Sequence, residues 1–299
     1  MVSQDGGLGP PDAAAGGSPP QCYRHAGRET YVACGRCARP ICPDCMISAS
    51  VGFQCPECVK EGNKTVREAR TTFGGRVRGG DPGIVTMLLI GINVVGYVAV
   101  QSDPSLLERL VLRAYNFGDG RGVAEGGYYR LITAAFMHQQ TLHIFFNTVM
   151  LWMFGRPLEA MLGRARFTAL YLICALGGST ASYLFNAPQV GSLGASGAVV
   201  GMVGALLVLE RRLRHNTAGV AIYLAILLLP GILLPGIDWR AHVGGLITGG
   251  VLGGVAAYAP RAKRDLFLGV TALVTVAVLV ALVAYRTQDL NNSFGSFAF

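Results

Sequence analysis

The sequence predicts an all-α polytopic membrane protein with seven transmembrane spans, preceded by a small zinc-binding domain. Three observations predict it. The 299 residues are 52% hydrophobic and 14% charged, with a mean hydropathy of +0.44, whereas soluble domains carry roughly 25% charged residues. The apolar residues fall in long unbroken runs, the pattern of bilayer-spanning helices. Seven of the eight cysteines crowd between Cys22 and Cys58. The net charge of +8 does not point to nucleic acid, because in a membrane protein the placement of charge matters more than its total.

Residues 1–21 are rich in Gly, Ala, Pro and Asp. They lack a basic stretch followed by an apolar one, so they read as a disordered leader and not as a signal peptide. Residues 22–58 hold four ligand pairs: Cys22/His25, Cys34/Cys37, Cys42/Cys45 and Cys55/Cys58. Two intervening residues let both side chains of a pair reach one tetrahedral zinc, so eight ligands fill two closed, structural sites. A disulfide knot is the competing reading, but seven is an odd number. Zinc thiolates also belong in a reducing compartment, which predicts a cytosolic amino end. The pattern resembles a B-box-type zinc finger. That resemblance implies cross-bracing, with Cys22, His25, Cys42 and Cys45 on one zinc and Cys34, Cys37, Cys55 and Cys58 on the other. Spacing alone leaves sequential pairing open. So small a core needs the metal to fold. The module's task reads as binding, with a cytosolic protein as a possible partner.

A basic linker follows at 59–82 (Lys60, Lys64, Arg67, Arg70, Arg76, Arg78). Apolar runs then predict spans near 83–101, 142–158, 168–187, 194–210, 217–235, 239–258 and 265–285. With the amino end inside, the inner loops carry Arg164 and Arg166, then Arg211, Arg212 and Arg214, then Arg261, Lys263 and Arg264. The outer loops at 188–193 and 236–238 carry no Lys or Arg. The positive-inside rule therefore agrees with the zinc argument. Seven spans put the carboxyl end, with a tail at 287–299, outside. This is a multi-pass protein of the cell membrane.

Ionisable residues at membrane depth are functional hypotheses by default. Span two carries His143 and Asn147, four apart and so on one helix face. Span four begins with Ser196 and span six carries His242. On the predicted topology all of them sit in the outer half of the bilayer. No Asp or Glu lies deep in a span; Glu159, Glu210 and Asp238 sit at span ends. That absence excludes a paired-aspartate protease, and the absence of H-E-x-x-H excludes a zincin. It also argues against a proton-coupled transporter. A serine hydroxyl needs a base to become a nucleophile, and the resulting oxyanion needs donors. His242 can act as the base. His143, Asn147 and the Ser196 backbone N–H, at a helix start with free N–H groups, can act as donors.

Taken singly, each residue has a bland reading. Ser196 is a helix-packing serine, His143 an interfacial histidine, and Asn147 a cross-link between helices. Jointly, "HIFFN" (His143–Asn147), "GASG" (Gly194–Gly197) and "AHVGG" (Ala241–Gly245) resemble the rhomboid family of intramembrane serine proteases. The resemblance covers roughly 83–260 and implies a six-helix core, with the segment at 261–286 as one helix added after it. It implies Ser196 as nucleophile, His242 as base, and His143 and Asn147 as oxyanion support. Where the family usually carries Trp-Arg, this chain has Tyr129-Arg130. Four residues after the serine, where an aromatic often stacks on the catalytic histidine, it has Val200. His138 and His215 read as loop histidines and Cys174 as core filler.

Gly197, Gly201 and Gly204 mark one side of span four, and Gly245, Gly249 and Gly253 recur every four residues along span six. Such stripes let helices approach closely, which would bring Ser196 to His242. The leading expectation is a serine endopeptidase with a Ser-His dyad, cutting peptide bonds in or near transmembrane segments of membrane proteins. Zinc would be structural only. The alternative is a non-proteolytic membrane-protein binding or quality-control factor whose zinc finger recruits cytosolic partners.

Overall fold

A computed structural model describes residues 18–65, 69–77, 83–115, 121–233 and 236–294. Most of the leader (1–17), Arg67 and Arg78 of the linker, the end of the fifth predicted span (234–235) and the last tail residues (295–299) lie outside them. The chain divides into two compact units, Met1–Glu68 and Ala69–Phe299.

The first unit contains a two-stranded antiparallel hairpin, β1 (Ile47–Ser48) with β2 (Phe53–Gln54), and helix α1 (Pro56–Thr65). Pro56 opens α1, where a missing N–H costs nothing. Glu57 in its first turn and Lys64 in its last complement the helix dipole. Its buried cluster is Ile41 and six of the cysteines, themselves the ligand candidates, with Cys37 left exposed. An apolar core of that size cannot offset the chain entropy of the module.

The second unit is helical. Its helices are α2 (Ile84–Ser102), α3 (Ser105–Leu110), α4 (Arg130–Thr133), α5 (Thr141–Leu162), α6 (Arg164–Phe185), α7 (Ser196–Arg212), α8 (Ala218–Leu233), α9 (Trp239–Tyr258) and α10 (Arg264–Phe294). Each predicted span falls on one helix: α2 and then α5 to α10. Among the described residues, four stretches are long and apolar enough to cross a membrane: Ile84–Ser102, Arg164–Phe185, Trp239–Tyr258 and Arg261–Ser293. Helix α7 is shorter and central. Every residue from Gly197 to Leu206 is buried, so it is enclosed by the other helices, chiefly α6 and α9. A helix apolar all round belongs in such a position.

Two segments are more ordered than their composition suggests. Within the predicted linker, Arg70 and Arg76 bridge a hairpin that buries Phe73 (3% exposed). The Phe73 N–H donates to the Met161 carbonyl at 3.2 Å. Arg166 donates to the Gly74 carbonyl at 2.9 Å. Helix α10 runs on to Phe294, beyond the boundary expected at 286, because Tyr183 Oη and Thr287 Oγ1 are hydrogen-bonded at 2.9 Å and Leu290 is buried against the loop before α5.

Two buried charges fix the frame around the site. Glu159 of α5, only 1% exposed, accepts from the N–H groups of Val85 (3.1 Å) and Thr86 (2.8 Å) and from Thr86 Oγ1 (2.8 Å). It supplies the cap that α2 lacks at Gly83 and satisfies the free N–H groups of a helix start. Arg130, fully buried, donates to the carbonyls of Arg121 (2.7 Å), Glu108 (2.8 Å) and Val111 (2.7 Å). One planar guanidinium thereby ties three points of the loop between α2 and α5.

Candidate active site and metal clusters

Ser196 is the first residue of α7. Helix starts leave N–H groups without intrahelical acceptors, so the amides around Ser196 face out of the helix beside its hydroxyl. The first i to i−4 bond of this helix is Val199 N–H to the Ala195 carbonyl, at 2.9 Å. Gly194, just before, holds φ +109°, a region costly for any side chain. A β-carbon there would also lie 2.5 Å from Cε1 and Nε2 of His143. The missing side chain lets the His143 imidazole rest against the backbone that leads into Ser196.

His143 and Asn147 project from the first two turns of α5. The Asn147 Nδ2 donates to the His143 carbonyl at 3.0 Å. An amide nitrogen carries two N–H groups, so one remains for a ligand. His242 lies in the first turn of α9, 5% exposed, and its Nδ1 has no hydrogen-bond partner among the described residues. Ser196, His242, His143 and Asn147 all line one cavity of about 500 Å³. Leu142, Phe146, Met150, Ile226 and Leu227 give it apolar walls, and Asp238 is its one formally charged lining residue.

Glycine contacts hold the cavity's two main helices together. A β-carbon on Gly197 would lie 3.2 Å from the Ala241 carbonyl oxygen, and one on Gly178 of α6 would lie 2.9 Å from the same atom. The residue after Ser196 and the residue before His242 are thus in backbone contact, cradled by a glycine of α6. Deeper along the crossing, β-carbons on Gly245 and Gly249 would overlap the carbonyl oxygens of Gly197 and Gly201. The stripes legible in the sequence are the contact surface between α7 and α9.

His138, read from the sequence as a loop histidine, is fully buried. Its Nε2 accepts the Ala195 N–H at 3.4 Å, and its ring packs edge-on against His143 with centroids 5.0 Å apart. It backs the site, and nothing in its loop context signals this. His215 pairs with Glu210 at the surface, and Cys174 is core, packed against Gly201. Val200 is fully buried in α7. The α8 backbone at Gly231 instead lies beside His242: a β-carbon there would sit 3.4 Å from its Nδ1.

In the first unit the ligand candidates converge alternately, not sequentially. Cys22, His25, Cys42 and Cys45 form one group and Cys34, Cys37, Cys55 and Cys58 the other, with donor atoms within 4.8 Å of one another. All eight cysteines are free thiols. The Cys22–Cys45 and Cys37–Cys55 sulfur separations are 3.9 and 3.8 Å. Metal–thiolate bonds of about 2.3 Å at tetrahedral angles put two sulfurs roughly 3.8 Å apart. Burial opposes ionisation of Cys34, but N–H groups of Cys55, Arg36 and Cys37 outweigh it and hold the thiol at about 6. Both groups can hold a metal ion.

The family model described as "Rhomboid domain" matches residues 125–259, which include every cavity residue discussed. Rhomboid protease GluP of Bacillus subtilis (strain 168) is 30% identical over 73% of this chain and 43% of its own length. RHOMBOID-like protein 6, mitochondrial, of Arabidopsis thaliana is 37% identical over 50% of each chain. Putative rhomboid protease YdcA of Bacillus subtilis (strain 168) is 31% identical over 52% of this chain and 79% of its own length. The chain spans about half the length of the first relatives it matches. With its apolar helices, its site-bearing domain and these relatives, the chain is a multi-pass membrane protein and belongs to the rhomboid family.

Proposed function

We propose that this protein is an intramembrane serine endopeptidase that cleaves peptide bonds in or near transmembrane segments of other membrane proteins. The observation that carries the reading is the convergence of Ser196, His242, His143 and Asn147 on one cavity from three helices, two of them in glycine contact. His242 takes the proton of Ser196 as Oγ attacks the scissile carbonyl. The developing oxyanion is met by Asn147 Nδ2, His143 and the N–H groups at the start of α7. Collapse to the acyl-enzyme expels the amine, which takes its proton from His242, and water then resolves the ester. A helical substrate must unwind to present its carbonyl, so small or helix-weakening residues near the cut are expected.

On the positive-inside pattern, the amino end is cytosolic, the carboxyl end is outside and the cavity opens in the outer half of the bilayer. The two Cys/His groups hold structural zinc, which fills four positions at each site and leaves none for catalysis. A cytosolic protein is the partner expected for the zinc module, whose Tyr31 and Val51 are 84% and 88% exposed.

The test is fluorophosphonate labelling of the purified full chain, together with cleavage of a single-span model substrate. Labelling and cleavage that both vanish in Ser196→Ala support the protease. A wild-type chain that neither labels nor cleaves points to a non-proteolytic binding role.

A further inference from the structure

No acidic residue within the apolar run offers His242 a partner, and in the structure its Nδ1 is buried with no hydrogen-bond partner among the described residues. A base without an orienting acid must be fixed in another way. The polar groups one turn before it are all engaged. Asp238 Oδ1 accepts the Ala241 N–H at 3.3 Å, capping α9. Asp238 Oδ2 accepts from Asn186 Nδ2 at 3.0 Å, and Asn186 Oδ1 accepts from Arg240 Nη1 at 2.9 Å. Asn186 Nδ2 also donates to Ser182 Oγ at 3.0 Å, anchoring the cluster to α6. The His242 N–H donates to the Asp238 carbonyl at 3.3 Å. Arg240 further lies over the Trp239 ring, 4.9 Å from its centroid.

We propose that Asp238, Asn186 and Arg240 form a polar clasp between the end of α6 and the start of α9, which positions His242 against Ser196. They are positioning residues, and the proposal rests on the protease reading above. The clasp works with the glycine cradle. Gly178 and Gly197 fix how closely the Ala241 carbonyl approaches, and the clasp fixes the rotation and depth of the turn that carries His242. Steric contact alone sets a minimum distance; directional bonds are needed to set an angle. Asp238 is therefore more than the helix cap its place in the sequence suggests, because its second oxygen is spent on another helix.

The experiment compares the full chain, reconstituted in vesicles, with Asp238→Ala, Asn186→Ala and Asp238→Asn. A misplaced base lowers kcat without weakening substrate binding. Asp238→Ala and Asn186→Ala should each lose about tenfold to a hundredfold in kcat, with KM changed less than about twofold. The double alanine variant should be no worse than the worse single one, since both break one unit. Asp238→Asn keeps an acceptor for the Ala241 N–H but turns an NH₂ toward Asn186 Nδ2, so it should recover little of the loss. Full recovery would mean that the helix cap alone matters and would overturn the clasp. A raised KM at unchanged kcat, or additive losses, would overturn the clasp. Hydrogen exchange at the Ala241 and His242 amides reads it independently of activity: about 5- to 30-fold faster in either alanine variant. Unchanged exchange overturns the clasp whether or not Ser196 is reactive, whereas a wild-type chain that does not label overturns only the protease reading.

Discussion

The α7–α9 crossing can be tested with one substitution type placed at two kinds of site on one helix. On α9, a β-carbon at Gly245 or Gly249 would overlap a carbonyl oxygen of α7, whereas at Gly250 or Gly254 it would meet nothing within 4 Å. Gly→Ala at the open positions should stabilise the helix by about 0.5–1 kcal/mol, by removing glycine's excess unfolded-state freedom. At Gly245 the same change must push α9 off α7, and overpacking of this kind costs about 1–3 kcal/mol. The catalytic effect should exceed the stability effect. Gly245 abuts Gly197, the neighbour of Ser196, and a displacement near 1 Å at a reacting pair costs on the order of 10²-fold in rate. The assay is the fluorophosphonate labelling rate of Ser196 in detergent, paired with a thermal unfolding midpoint for each variant. Gly245→Ala should label about a hundredfold more slowly, Gly249→Ala less severely, and Gly250→Ala and Gly254→Ala at the wild-type rate with a raised midpoint. A Gly245→Ala variant that labels at the wild-type rate refutes the close-packing account. So does a Gly250→Ala variant that is equally impaired.

Three further outcomes follow from the frame and the metal clusters. Arg130→Ala abandons three carbonyls, of which the one on buried Val111 costs roughly 1–3 kcal/mol when unsatisfied; a lowered midpoint, with new protease cuts in 121–130, is expected, and an unchanged midpoint would contradict it. Glu159→Gln retains one acceptor but turns an NH₂ toward the N–H groups of α2, which should cost about 1–2 kcal/mol, with Glu159→Ala worse; equal stability of both variants with wild type would show that α2 does not depend on this cap. Chelation of the full chain should release two metal ions per chain, measured with a colorimetric indicator. It should also make residues 18–65 protease-sensitive, while persistent resistance after complete metal loss would show that the module folds unaided.

The helices and the polar residues that line the cavity were legible in the sequence for the same reason: both are rare signals against a uniform background. A histidine, an asparagine and a serine inside apolar runs stand out, and charge placement orders them before any contact is known. The alternate grouping of the metal ligands was not readable from spacing, because two intervening residues fit either pairing. Resemblance to a B-box-type finger had favoured the arrangement the structure displays. His138 escaped because its loop looks polar, and only tertiary packing buries it behind His143. Glu159 and Asp238 read as span-end charges, since hydropathy registers depth and not partners; their roles emerge only when α2 and α6 are brought against them. The hairpin at Phe73 escaped for a related reason. Its neighbours are arginines, and a basic composition hides a segment whose single aromatic and two glycines fit the ends of α5 and α6.

The way His242 is held follows from the solvent. A charged carboxylate deep in hydrocarbon would carry a heavy desolvation cost, and the described spans place none beside the His242 ring. Among the described residues, the carboxylate that lines the cavity is Asp238, a full turn earlier, where its charge is met by a helix start and an amide. On the proposed protease reading, what a soluble serine protease obtains from an acid at the imidazole nitrogen, this chain would obtain from helix geometry. Glycine contacts set the approach of α9 to α7, and polar bonds at the end of α6 set its rotation. The arrangement makes a specific demand: stiffness must be concentrated in the first turn of α9. Substitutions that loosen that turn should therefore reduce turnover even when they touch neither Ser196 nor His242. Equally disruptive substitutions at the far end of α9, near Ala257, should reduce stability first and turnover only in proportion.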